Sequence, residues 1–257
     1  MTTVAITRAV PTSFASALAA VPPDPPIDVA RARAEHDAYR AALAAIGLRV
    51  VCLAAADALP DSCFVEDTAV VGTGLALITR PGAPSRRPEV DAVTPALARH
   101  VAIAWTAAPA TIDGGDCLRV GATLFVGRSA RTSADGVARL REVFAPRGVT
   151  VVAVDLPPGV LHLKCVVSSL GGDRVALADD TIPAAALPGA RVVRIPADEG
   201  YAANVVHHDG AVVMADGHPR ARAALEAAGL RVVAVDNREL RKADSALTCL
   251  SVLVDAA

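Results

Sequence analysis

Residues able to do chemistry recur at intervals along this chain. LPDSCFVEDTAV carries Asp61, Glu66 and Asp67; TIDGGDCL carries Asp113 and Asp116 around two glycines; GVLHLKCV carries His162; YAANVV carries Asn204; ADSALTCL carries Asp244 and Cys249. A cysteine with a histidine makes a nucleophile and acid–base pair. Several carboxylates beside that pair do not suit a peptidase, whose transition state gathers negative charge and needs donors. They suit a cationic electrophile. A guanidinium is planar and cationic, its N–H groups match carboxylates two at a time, and its charge favours thiolate over thiol. Singly, each residue has a plainer reading. A cysteine in an apolar run is more often an inert core thiol, a lone histidine a structural hydrogen-bonder, and DGGD a turn. The set gains weight because its members fall at the same place in a repeated unit.

Four segments share one pattern, starting at Val65, Gly114, Leu163 and Ala202. Each opens as an alternating strand, turns at a Gly-containing loop, returns as a second strand and is then expected to become helical. Valine-rich runs follow: GLRVVCL, RGVTVVAV, GARVVRI and GLRVVAV after a Gly that reads as a helix C-cap, and HVAIAWTA without one. Such β-branched runs predict strands buried on both faces. TCLSVLV near the C-terminus is a first strand without its return, and TTVAITRAV near the N-terminus is a return without its first strand. Together they predict a fifth unit that closes a ring, which removes open edges. The ring would point equivalent residues at one central pocket. The insertion VPPDPPIDVARARAEHDAY reads as a proline-rich loop or lid, then a helix started by Asp28.

The chain has 257 residues, a formal net charge of −2, 53% hydrophobic and only 3% aromatic residues. Nothing predicts a basic nucleic-acid surface, and no run approaches the roughly 20 apolar residues of a membrane span. MTTVAITRAVPTSF lacks the pattern of a signal peptide. The five cysteines, at 52, 63, 117, 165 and 249, include no CxxC pair. They predict free thiols in a cytoplasmic protein. Cys52 is placed in a buried strand, where a thiol is inert, and Cys249 in the terminal strand.

These motifs resemble those of the dimethylarginine dimethylaminohydrolases, guanidino-modifying enzymes with the five-bladed α/β propeller, or pentein, fold. The resemblance covers nearly the whole chain. It rests on LPDSCFVEDTAVV, ALITRPGAPSRR, TIDGGDCL, FVGRSARTS, GVLHLKC and LTCLSVL. RPGAPSRR with FVED is particular to this family. The resemblance implies one catalytic domain over residues 1–257. It implies hydrolysis of N-methylated L-arginine to L-citrulline and an alkylamine through a thiouronium on cysteine. By it, Cys249 is the nucleophile, His162 the general acid and base, and Asp113 the group that orients His162. Glu66 and Asp67 lie in the acidic substrate pocket, Asp67 on the guanidinium. Arg86 and Arg131 bind the substrate carboxylate, and Asp61 with the Leu18 carbonyl takes the α-ammonium. The Ala243 backbone and the Asp244 side chain flank the guanidinium. No metal or organic cofactor is implied, although Zn²⁺ could inhibit at a Cys–His pair. The expected partner is a small-molecule substrate, a homodimer is allowed for, and neither nucleic acid nor a membrane is expected. Two alternatives stand beside this: an arginine deiminase-type hydrolase of unmethylated arginine, and a non-catalytic pentein binding protein.

Overall fold

Strand, Gly turn and returning strand predict a hairpin in each of the four continuous units, and the structure, a computed structural model describing residues 2–256, contains all four. In chain order the elements are β1 (Thr3–Arg8), α1 (Val29–Ala45), β2 (Arg49–Leu53), β3 (Ala69–Gly72), β4 (Leu75–Ile78), α2 (Val90–Leu97) and β5 (Ala102–Trp105). There follow β6 (Cys117–Val120), β7 (Thr123–Arg128), α3 (Ala134–Phe144), β8 (Thr150–Asp155), β9 (Val167–Ser169), β10 (Arg174–Ala178) and β11 (Arg191–Ile195). The chain continues with β12 (Val206–His208), β13 (Ala211–Ala215), α4 (Pro219–Ala227), β14 (Arg231–Val235), α5 (Arg238–Arg241) and β15 (Val252–Asp255). They form five three-stranded sheets: β3-β4-β5, β6-β7-β8, β9-β10-β11, β12-β13-β14 and β15-β1-β2. In each, an antiparallel pair is followed by a parallel one. The β12–β13 turn uses Gly210 at φ 72°, a conformation that costs a glycine nothing.

The split unit closes as expected. β15 lies antiparallel to β1 in the register Thr3↔Asp255 to Ile6↔Val252, and the Thr3 hydroxyl donates to Asp255 at 2.8 Å. The first strands β3, β6, β9, β12 and β15 surround an axial cavity of about 290 Å³. The middle strands carry the core: Ala76, Leu77 and Ile78, like Val4, Ala5 and Ile6, are fully buried. The valine-rich runs are different from the expectation. β2, β5, β8, β11 and β14 are the outermost strands, with one neighbour each, and are only half covered. An outer strand has solvent beyond its free ladder edge, so its apolar residues pack from one side only. Cys52, on β2, is accordingly exposed and not buried.

Two further differences are local. Unit three has no α-helix between β10 and β11, only a 3-10 turn at Ala184–Ala186. Pro183 and Pro188 bracket that stretch and leave no room to propagate a helix. Cys249 is not on a strand but on the 3-10 turn Thr248–Leu250 that precedes β15. The predicted start of α1 holds: the Asp28 side chain accepts from the Arg31 N–H at 3.1 Å, a cap of about 1 kcal/mol. Among the described residues no helix is long and apolar enough to cross a membrane.

Candidate active site

Every unit begins with a short 3-10 turn before its axial strand: Val65–Thr68, Gly114–Asp116, Leu163–Cys165, Ala197–Ala203 and Thr248–Leu250. Glu66 and Asp67 lie in the first of these, Asp113 and His162 immediately precede the second and third, and Cys249 is in the last. The ring therefore brings residues far apart in sequence to one end of its axis. The two glycines of DGGD do more than turn the chain. A β-carbon on Gly114 would lie 2.0 Å from the Glu66 carbonyl oxygen. One on Gly115 would lie 2.7 Å from His162 Nδ1 and 3.0 Å from Asp67 Oδ1. Only glycine lets the turns approach this closely.

A cavity of about 210 Å³ opens at this end. Its wall includes Leu18, Asp61, Asp67, Arg86, Arg131, His162, Ala243, Asp244 and Cys249, so ten of the eleven expected site residues are accounted for with Asp113, which lies behind His162. The segment 17–20, at the edge of the proline-rich stretch, borders the mouth. It is held from two sides: the Leu18 N–H donates to Asp61 Oδ1 at 3.0 Å, and the Ala20 N–H to Asp244 Oδ2 at 2.5 Å. Asp244 adopts φ 53°, a left-handed conformation uncommon outside glycine, asparagine and aspartate.

His162 Nε2 lies 3.0 Å from Asp113 Oδ2. Burial works against a charge on this imidazole, but Asp67, the Asp113 hydrogen bond and Asp116 outweigh it and push the pKa up to about 9. The ring is thus an imidazolium at neutral pH, with both nitrogens donors. Asp116 fixes the chain beside it, accepting from the Leu163 N–H at 3.1 Å and from the Ser129 hydroxyl at 2.5 Å. Burial alone would raise Asp67, yet the charges of His162 and Arg86 and the Gly115 N–H hold it below the ordinary carboxylate range. Cys249 goes the other way. Burial, with Glu66 and Asp67 close by, raises its thiol well above the ordinary value. Burial also raises Cys63 and Cys117, and lifts Cys165 to about 11; none of these three lines the Cys249 cavity. Asp67, Asp113 and His162 hold ligand-type atoms within 4.8 Å of one another; a metal there would have to displace the imidazolium proton.

Three details were not anticipated. Glu66 does not line the Cys249 cavity. Its carboxylate turns to the axial cavity, taking Lys164 Nζ at 2.6 Å and the Thr248 hydroxyl at 2.8 Å. The expectation of Glu66 on the substrate-pocket wall is corrected by that pairing: a buried cation of opposite charge claims the side chain. Arg86 is buried and already engaged, with Nη1 on Asp67 at 2.6 Å, Nη2 on the Phe64 carbonyl at 2.9 Å, and Nε and Nη2 on Glu89 at 2.8–3.1 Å. Glu89, three residues on in the same 3-10 turn, is a missed member of the site that its i,i+3 spacing could have disclosed. Arg131 is freer, its side chain 23% exposed and its nearest carboxylate oxygen, on Asp113, 4.0 Å away.

A family model described as N,N dimethylarginine dimethylhydrolase, eukaryotic, matches residues 24–198. The N(G),N(G)-dimethylarginine dimethylaminohydrolase of Streptomyces coelicolor is 42% identical over 228 residues, 88% of this chain and 87% of that protein. The enzyme of the same name from Pseudomonas aeruginosa is 34% identical over 88% of this chain and 89% of its own length. A solved structure of the Pseudomonas aeruginosa protein, complexed with citrulline, superposes with a TM-score of 0.91 at 31% identity, covering 98% of this chain and 99% of that one. The N-terminal domain of a cyanobacterial arginine dihydrolase shares the fold at a TM-score of 0.87 and 16% identity. Sequence agreement along most of the chain and the closed five-unit ring lead to one conclusion: this chain belongs to the dimethylarginine dimethylaminohydrolase family and has its pentein fold.

Proposed function

We propose that this protein hydrolyses N-methylated L-arginine to L-citrulline and an alkylamine, with Cys249 as nucleophile. The observation that carries this reading is the meeting of Cys249, His162 and Asp67 with Arg131 and Asp61 in the lining of one cavity of about 210 Å³. Such a cavity offers carboxylates to a guanidinium and to an α-ammonium, and a cation to an α-carboxylate. Asp67 and Asp244 take the guanidinium with the Ala243 backbone, and Asp61 takes the α-ammonium with the Leu18 carbonyl. Arg131 and the remaining Nη1 hydrogen of Arg86 take the carboxylate.

The protonation states order the steps. At rest Cys249 is a thiol and His162 an imidazolium, so His162 cannot be the base for the thiol. The thiol proton leaves to solvent when the cationic guanidinium arrives and stabilises the thiolate. Sulfur then attacks the guanidinium carbon. His162 gives its proton to the departing alkylamine as the C–N bond breaks, leaving a thiouronium on Cys249. The imidazole, now neutral, takes a proton from water; the hydroxide adds to the same carbon, and as the C–S bond breaks the hydroxyl proton passes to the departing thiolate, restoring the resting thiol. The water oxygen becomes the ureido oxygen of citrulline. Asp113 holds the imidazole through both halves.

The test measures citrulline and alkylamine released from dimethylarginine, monomethylarginine and arginine in parallel. Equimolar citrulline and alkylamine from the methylated substrates is expected, with none from a Cys249→Ser variant. Release from arginine alone, or full activity in Cys249→Ser, would overturn the proposal.

A further inference from the structure

Beneath Cys249 a closed circuit of hydrogen bonds links four units of the ring. Lys164 Nζ donates to Glu66 Oε1 at 2.6 Å, and Glu66 Oε2 accepts from the Thr248 hydroxyl at 2.8 Å. That hydroxyl accepts from Asn204 Nδ2 at 3.0 Å, and the same amide nitrogen donates to the Lys164 carbonyl at 2.8 Å, returning to the start. Asn204 also accepts the Thr248 backbone N–H on Oδ1, at 2.9 Å. Asn204 is 2% exposed and Thr248 8%. Both hydrogens of the amide and its oxygen are in use, so the side chain has one orientation open to it.

The circuit stands directly against the nucleophile. Thr248 is the residue before Cys249 and opens the 3-10 turn that carries it. That turn is short, with the Cys249 N–H reaching the Ala246 carbonyl at a long 3.2 Å. Three-residue turns of this kind hold themselves weakly. What fixes this one is its first residue, gripped by Asn204 through the main chain and by Asn204 and Glu66 through the hydroxyl. We infer that Asn204 and Thr248 are positioning residues for Cys249: the Asn204–Thr248–Glu66 clamp sets the direction of the thiol toward the reacting carbon without touching substrate. Lys164 keeps Glu66 in place and offsets a carboxylate that would otherwise stand uncompensated beside the thiol. The inference rests on Cys249 as nucleophile.

A displaced nucleophile slows bond formation while leaving the substrate-holding wall intact. Thr248→Val removes the hydroxyl and keeps the shape, whereas Thr248→Ser keeps the hydroxyl. Thr248→Val and Asn204→Ala are expected to lower kcat roughly 10- to 100-fold with KM changed less than about two-fold. They should slow iodoacetamide alkylation of Cys249 in the free enzyme, and Thr248→Ser should restore both readouts. The double variant should be no worse than the more damaged single one, because both act through one clamp. Wild-type kcat in folded Thr248→Val, a loss confined to KM, or equal damage in Thr248→Ser would overturn the inference. So would a Thr248→Val chain that fails to fold while Thr248→Ser folds, since that assigns the hydroxyl to stability. Mass spectrometry of the parent enzyme quenched in turnover separates the two readings: an adduct on Cys249 leaves the variants testing the clamp alone, and an adduct on another residue removes both.

Discussion

Arg86→Ala should damage this protein in two ways. Its guanidinium is the counter-charge of two carboxylates, Glu89 and Asp67, that are 1% and 2% exposed. Removing one partner from a buried ion pair costs about 3–5 kcal/mol, which for a chain of this size is a melting-temperature loss of roughly 10 °C. The loss should grow with pH. Burial pushes Glu89 up to about 7 from the ordinary 4.5 even with Arg86 beside it. An acid bound more tightly to its proton in the folded state favours folding below its ordinary pKa, and that contribution disappears as pH rises through the folded value. In the parent the decline ends near pH 7, once Glu89 ionises against Arg86. In the variant Glu89 stays protonated, so the decline continues at about 1.4 kcal/mol for each further pH unit. Glu89→Gln in the Arg86→Ala background should abolish that extra slope. Kinetically, Asp67 loses its anchor, so kcat should fall together with a rise in KM. Urea unfolding from about pH 6 to about pH 8.5, with steady-state kinetics, tests both halves. A deficit under about 1 kcal/mol at the alkaline end, or one that does not grow with pH, would refute the assignment of Arg86 as a buried counter-charge.

Arg131→Ala is the contrasting case. Its side chain is partly exposed with no carboxylate oxygen nearer than 4.0 Å, so KM should rise roughly 10-fold or more with urea stability within about 1 kcal/mol of the parent. Asp113→Asn withdraws one of the supports that hold His162 at about 9, so the imidazolium should be lost at lower pH and the alkaline limb of kcat should move down; an unmoved limb argues against His162 as the acid. An unreactive cationic guanidine should lower the pH midpoint of Cys249 alkylation. A unit charge about 4 Å away at an effective dielectric near 20 bounds the change at about 4 kcal/mol, or roughly three pH units, and a midpoint that rises or stays would contradict substrate-driven thiolate formation.

The ring could be read from sequence because its repeats carry their own turns: glycines mark the hairpins, and two half-units at the ends have no other way to be completed. The meeting of Cys249, His162 and Asp67 followed from their equal place in the unit, which pseudosymmetry converts into proximity. What escaped is whatever depends on which of two cavities a side chain faces. Glu66 and Asp67 are adjacent, and a 3-10 turn sends one carboxylate to Lys164, 98 residues away, and the other to Arg86. No local pattern distinguishes them. Composition misled at β2, where Val50 and Val51 precede the exposed Cys52. Continuous β-branching marks a strand, while solvent access depends on whether another strand lies beyond it.

The clasp between β15 and β1 has a topological consequence. The Ala256 N–H donates to the Thr2 carbonyl at 2.9 Å, so residues 2 and 256 meet across one ladder. A peptide joining them would need to span only a tight turn, and the break in the circle could be moved to another exposed loop, such as the one at Gly148 between α3 and β8. The linear order of the five units is then a matter of where the circle is opened. A circularly permuted chain that places Cys249 in its first half has the same five sheets to form and the same cavity to assemble.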